Sequence, residues 1–179
     1  MHEARCDQYD WYDQFDNNPK AGNKIILTMI NWVCKKFDDL TPHELYAILQ
    51  LRNEVFVVEQ NCVYQDADNK DRASHHLMAW KDGILTGYTR LIPTGVAYDL
   101  PSIGRVVTSP KVRGDGTGKL LMQQSIEQLE NLFGKSSIKL GAQLYLKKFY
   151  ESFGFQKSSD VYLEDGIEHI EMIRVTTEF

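Results

Sequence analysis

The chain has 179 residues, 20 of them Lys or Arg against 25 Asp or Glu, for a formal net charge of −5. That length suits one domain with an appendage and allows a real core, since chains of about 150 residues bury roughly 70% of their unfolded surface. The acidic balance disfavours a general nucleic-acid binder, so any phosphate site must be local. No apolar run approaches the ~18–20 residues that cross a bilayer, so no membrane partner is expected.

The start, MHEARCDQYD, is polar and acidic, unlike a secretory leader. Cys6, Cys34 and Cys62 are odd in number and far apart, with neither a disulfide framework nor a C-x-x-C pair. A cytoplasmic location follows as the simplest reading.

Residues 1–28 carry breakers at Pro19, Gly22 and Asn23 and no regular period, which predicts an irregular extension. The domain proper is expected over 29–179. Ile30–Phe37 alternates Ile30, Trp32 and Cys34 as a strand does. Thr41-Pro42-His43-Glu44 reads as a helix start, with Thr as N-cap, Pro at N1 and Glu at N3. Leu45, Ile48, Leu49, Val55 and Phe56 continue at helical spacing. Residues 59–73 form a polar loop. His76–Lys81 and Ile84–Ile92 make a hairpin about Asp82-Gly83. Ser102–Thr108 is a strand, and Gly118–Phe133 is a helix with Leu121, Met122, Ile126, Leu129 and Phe133 on one face. Ser137–Gly141 is a short strand, and Leu144–Phe153 a helix ending at Gly154. Val161–Leu163 and Ile167–Val175 close the chain around Asp165-Gly166. The helix between Ser102–Thr108 and Ser137–Gly141 makes those two strands parallel. The hairpins make the rest antiparallel, giving a mixed α/β sheet.

The stretch Val106-Val107-Thr108-Ser109-Pro110-Lys111-Val112-Arg113-Gly114-Asp115-Gly116-Thr117-Gly118-Lys119 carries the chemistry. A strand enters a loop with three alternating glycines, and the loop enters a helix. Glycines let a ligand approach the backbone, and the helix start offers unpaired N–H groups and a positive dipole end. Together these suit a phosphate or pyrophosphate, with Arg113 and Lys119 adding local positive charge. The P-loop pattern fails, because residue 113 is Arg and Leu120 stands where a Mg²⁺-binding hydroxyl belongs. The dinucleotide fingerprint fails too, because residue 119 is Lys.

The segment V-x-x-x-P-x-x-R-G-x-G-x-G resembles the acyl-coenzyme A site of the GCN5-related N-acetyltransferases (GNAT family). Phe149-Tyr150-Glu151-Ser152-Phe153-Gly154-Phe155 is similar to that family's F-Y-x-x-x-G-F segment. Further likeness to its ElaA-like branch lies in Leu51-Arg52-Asn53-Glu54-Val55-Phe56-Val57-Val58-Glu59-Gln60 and in Tyr64-Gln65-Asp66 with Asp68. Gly104-Arg105-Val106-Val107 and Glu164-Asp165-Gly166-Ile167-Glu168-His169-Ile170 extend it. The resemblance covers roughly residues 29–175. It implies the GNAT fold, a mostly antiparallel twisted sheet with one splayed parallel pair and helices on both faces. It also implies that Val106, Val107 and Thr108 pair with the pantetheine arm of acetyl-CoA. The amides of Arg113, Gly114, Asp115, Gly116, Thr117 and Gly118, beside Lys119, would hold the pyrophosphate. Gln143 falls where the family often offers the cofactor a polar side chain.

Acyl transfer to an amine needs a base for the amine, a donor for the oxyanion and an acid for the leaving thiolate. A Val106 or Val107 amide freed by the splay is a candidate donor. Tyr150 is the candidate acid, since a phenol's pKa lies not far above a thiol's. Its bland alternative is a core aromatic beside Phe149 and Phe153, which share a helix face from which Tyr150 is rotated. Glu59, His76 and His169 are open as the base, as is a water chain. His75-His76 does not suggest a metal site, because neighbours on a strand face opposite ways, and no metal is expected. Arg52 and Arg105 with Asp66, Asp68 and Asp71 either shape the acceptor site or form ion pairs. The expected function is acetyl transfer from acetyl-CoA to a primary amine of a small molecule or protein. A non-catalytic acyl-CoA-binding module is the alternative, and a homodimer is left open.

Overall fold

The computed structural model describes residues 30–176; the expected extension at 1–28 lies outside the described residues. Strands β1 (Asn31–Lys36), β2 (His75–Lys81), β3 (Ile84–Ile92) and β4 (Ser102–Thr108) follow one another as an antiparallel meander. β5 (Ile138–Gln143) lies parallel to β4. The closing strands are β6 (Phe155–Lys157), β7 (Tyr162–Glu164) and β8 (Ile167–Arg174). The sheet order is β1-β2-β3-β4-β5-β8-β6, with β7 also on β8. The hairpin turns form as expected: Asp82 and Gly83, then Asp165 and Gly166, all stand at positive φ, as tight hairpins demand.

Among the described residues, three α-helices cover the sheet. α1 (Pro42–Arg52) begins with the full capping box: the Thr41 hydroxyl accepts from the Glu44 amide while Glu44 accepts from the Thr41 amide. α2 (Thr117–Phe133) is the crossover between β4 and β5, and α3 (Lys147–Glu151) precedes β6. Alternation along β2 sends Leu77 and Met78 to opposite faces. Leu77 joins Leu121, Met122 and Leu129 of α2 and Tyr150 of α3. Met78 joins Ile48 and Leu51 of α1, with Tyr88 and Val107. His75 and His76 divide likewise, His75 packing on Phe133 and His76 on Tyr88.

Three segments depart from expectation. The chain after α1 winds into the wider turns of a π-helix over Asn53–Glu59, with Val55 buried. The helix expected over Leu144–Phe153 is a 3₁₀ turn, Leu144–Leu146, followed by the short α3. β6 was not expected; its three residues pair with Lys157 opposite Met172 and Phe155 opposite Arg174.

Candidate active site

β4 and β5 meet only at their starts, Ser102 opposite Lys139, and then part. A cavity of about 130 Å³ opens where they separate, lined by Gly104, Arg105 and Val106 of β4 and Gly141, Ala142 and Gln143 of β5. Val55 and Phe56 of the π-helix, Tyr145, Tyr150 and His169 complete its wall.

The parting has a local cause in β4. Tyr88 pairs with Val107 and Arg90 with Gly104, so β4 carries one more residue than β3 between those points. This is a β-bulge, which interrupts a ladder and re-aims the strand. Arg105 within it stands at φ 50°, a conformation costing a non-glycine residue roughly 1–2 kcal/mol. Beyond the bulge the Ser109 amide donates to the Thr86 carbonyl at 2.8 Å. By the alternation of an antiparallel ladder the Val107 amide then points into β3, and the Thr108 and Val106 main chain faces the gap. The Thr108 hydroxyl is buried without a hydrogen-bond partner among the described residues.

Side-chain ties hold the bulge. The Arg105 Nε lies 2.7 Å from the Asp66 carboxylate, its Nη2 donates to the Asp66 carbonyl, and its guanidinium covers the Tyr64 ring. Asp66 also binds Arg52, and Asp71 joins Arg52 at 2.7 Å to Arg90 at 3.0 Å. Asp68 takes both Nη groups of Arg90, at 2.6 and 2.8 Å. Three arginines and three aspartates thus form one network, so the ion-pair reading of these residues is the observed one. Burial favours the neutral acids, but the Arg90 and Arg52 guanidinia win and hold Asp68 and Asp71 below the usual carboxylate range.

Tyr150 is 4% exposed, packed edge-on against Phe149 and Phe155, and lines the cavity. Phe149 and Phe153 meet edge to face, as neighbours at i, i+4 spacing can. Burial pushes the Tyr150 phenol upward, so it remains protonated at neutral pH and can donate but not accept a proton. Gln143 takes a 2.6 Å hydrogen bond from the Tyr145 hydroxyl and reaches Gln60.

At the other end of β4, Gly114 and Gly116 stand at φ 76° and 90°, and nothing lies within 4 Å of where a Gly114 Cβ would stand. The loop therefore offers its backbone openly in front of α2. The Thr117 amide donates to the Asp115 carboxylate at 2.8 Å. Arg113 is gripped by both oxygens of Glu59, Nη2 to Oε2 at 2.6 Å, so its charge is shared with the π-helix. A splayed strand edge running into an exposed glycine backbone at a helix start fits a long thioester with a pyrophosphate. Sequence reasoning missed the bulge and the lining residues Val55, Phe56, Gln60 and Tyr145. The L-R-x-x-V-F-V-V-E-Q run pointed to that region without showing that it lines the cavity.

A mixed sheet with one splayed parallel pair, and a crossover helix entered through a glycine loop, is the acyl-CoA N-acyltransferase fold. The chain belongs to the GNAT family of acetyltransferases: the family model for the acetyltransferase (GNAT) domain matches residues 38–175. It falls with the ElaA-like proteins. Protein ElaA of Escherichia coli K12 is 42% identical over 148 residues, which is 82% of this chain and 97% of that one. The crystal structure of Escherichia coli ElaA superposes with a TM-score of 0.77 at 41% identity, over 82% of this chain and 99% of that chain. An acyl-CoA N-acyltransferase from Pseudomonas aeruginosa gives a TM-score of 0.78 at 46% identity, over the same shares. These relationships support acyl-CoA-dependent acyl transfer. Among the described residues no helix is long and apolar enough to cross a membrane.

Proposed function

We propose that the protein is a cytoplasmic N-acetyltransferase that passes the acetyl group of acetyl-CoA directly to a primary amine within a ternary complex. The observation that carries this reading is the single β4–β5 bridge at Ser102, beyond which the strands open onto a cavity containing Tyr150. The Val106 and Thr108 main chain faces that gap and takes the pantetheine arm as a strand would. The amides of Arg113, Gly114, Asp115, Gly116 and Gly118, with Lys119 beside them, hold the pyrophosphate through the open loop at Gly114 and Gly116, while the Thr117 amide is taken by Asp115. Gln143, oriented by Tyr145, reaches the donor from the β5 side.

The amine nitrogen attacks the thioester carbonyl, and the Val106 amide stabilises the oxyanion. As the C–S bond breaks, the Tyr150 hydroxyl gives its proton to the departing sulfur. The proton left on the new amide nitrogen returns to Tyr150 directly or through water. No side chain is acylated.

Initial rates measured with both substrates varied test this order. Intersecting lines, with no acetyl mass added to the protein, are expected. Parallel lines with an acetylated protein would contradict direct transfer. Acetyl-CoA binding without thiol release across an amine panel would instead mark a non-catalytic module.

A further inference from the structure

The three side chains that could take the acceptor's proton stand in different surroundings. His76 is fully buried, with Nε2 3.1 Å from the Asp71 carbonyl and Nδ1 2.8 Å from the Tyr88 hydroxyl. Both ring nitrogens are engaged, and no acceptor can reach them. Glu59 holds Arg113 with both oxygens. His169 lines the cavity that also contains Val106 and Tyr150.

The His169 ring is fixed from several sides. Its Nδ1 lies 2.9 Å from the Ile167 carbonyl. A carbonyl only accepts, so Nδ1 carries the proton and Nε2 keeps its lone pair. The ring stacks on Tyr162 at 5.9 Å, and the strand register sets it opposite Gln143. Gly141 stands next along the same face of β5 and is exposed. A Cβ there would lie 3.2 Å from the Tyr98 hydroxyl and 3.3 Å from that of Tyr162. The missing side chain makes room for those two hydroxyls, which close over β5 beside the parted strands.

We propose that His169 Nε2 is the general base, taking a proton from a primary alkylammonium bound in the cavity that His169 lines with Val106 and Tyr150. This rests on the acetyltransferase reading above. The N–H⁺ bond of the ammonium breaks, its electron pair becomes the nucleophile, and imidazolium forms, later releasing its proton to solvent. The second amine proton is lost after attack and restores Tyr150, so one proton is released per turnover. Tyr162 faces the ring from β7, and Tyr145, Tyr150 and Arg105 line the same cavity. Arg105 is matched by Asp66 and Asp68, and Glu171, two residues along β8, by Lys139 at 2.8 Å. Glu164 lies by the Tyr162 hydroxyl.

The experiment follows thiol release from acetyl-CoA with propylamine and with the less basic glycinamide, across pH, in wild type, His169→Asn and His169→Gln. Asn keeps a donor for the Ile167 carbonyl but has no basic lone pair. In wild type the rising limb of kcat/KM should fall at the same pH for both amines, since a protein group sets it. The variants should lose about 10²–10⁴-fold, more with propylamine than with glycinamide, while the KM for acetyl-CoA holds. Their rising limbs should shift to follow each amine's own basicity. Variants with wild-type rates and profiles, or a wild-type limb that tracks the amine, would overturn the assignment of His169 alone. Wild-type protein that binds acetyl-CoA yet releases no thiol with either amine would overturn the transferase reading and this assignment with it.

Discussion

The Asp66 carboxylate meets the Arg105 guanidinium at 2.7 Å, and Arg105 is the residue whose backbone stands at φ 50° in the bulge of β4. A loop aspartate therefore holds the irregularity that turns the Val106 main chain toward the cavity. The strain persists because the surroundings over-determine it.

Arg105→Ala should lower turnover and destabilise the fold by about 1–3 kcal/mol, the usual loss for a charged hydrogen-bond partner. Arg105→Gly should lose less stability than Ala, because glycine tolerates the positive φ. Arg105→Lys keeps the charge without the fork and should fall between wild type and Ala. Denaturant melts of the three variants check that order. Arg52→Ala, at a fully buried position, should cost more, about 3–5 kcal/mol, by taking from Asp66 and Asp71 one of the two guanidinia that each holds.

The same network sets a pH dependence. Asp68 and Asp71 have folded-state pKa values depressed below the unfolded value of about 3.9. Such groups contribute stability that is complete above the unfolded pKa and lost as pH falls through the folded one. The melting temperature should therefore owe no slope to these two acids between pH 6 and 8, taken as a rough working range, and should drop below about pH 4. Asp68→Asn should flatten that acid limb while lowering stability at neutral pH.

Gly116 begins α2 at φ 90° and Gly114 precedes it at 76°. Gly116→Ala should weaken acetyl-CoA binding about tenfold or more, by straining the turn that presents the amides, and cost roughly 1–2 kcal/mol of stability. Arg113→Ala should weaken binding less, since the Arg113 side chain already spends its charge on Glu59. Calorimetric titration of acetyl-CoA into each variant separates backbone from side-chain recognition.

Thr108 buries a hydroxyl with no partner among the described residues, an arrangement that costs about 1–3 kcal/mol. Thr108→Val should keep the shape and raise the melting temperature. Acetyl-CoA affinity should stay within about threefold, a small change on the affinity scale, because Thr108 acts through its main chain. A large loss of affinity would show that the hydroxyl itself meets the donor.

Much of this was legible in the sequence because its causes are local. The Thr41–Glu44 box, the Asp82-Gly83 and Asp165-Gly166 turns and the Gly114–Gly118 loop each rest on side-chain chemistry within a few residues. The bulge at Arg105 was not legible, because it is a mismatch of count between β3 and β4 and appears only once Tyr88 and Arg90 have found their partners. The Arg–Asp network joins positions 14 to 39 residues apart, and no period in the chain announces it. β6 has three residues and exists through its pairing with β8. α3 is short because Leu144–Leu146 turns more tightly before it. Tyr150 was placed by family resemblance; its pattern alone favoured a core aromatic, and the structure gives it both a core contact and a cavity wall.

The most direct test compares wild type with Tyr150→Phe in acetyl-CoA turnover, read as free thiol against N-acetylated amine, alongside acetyl-CoA affinity. Phe keeps the packing on Phe149 and Phe155 and removes only the hydroxyl. Thiol and acetylated amine should appear in equal amounts in wild type, and the variant should lose about 10²–10⁴-fold in kcat while binding acetyl-CoA as before. Unchanged kcat in the variant would remove Tyr150 from the chemistry and contradict the account of the β4–β5 gap as the acyl-transfer centre.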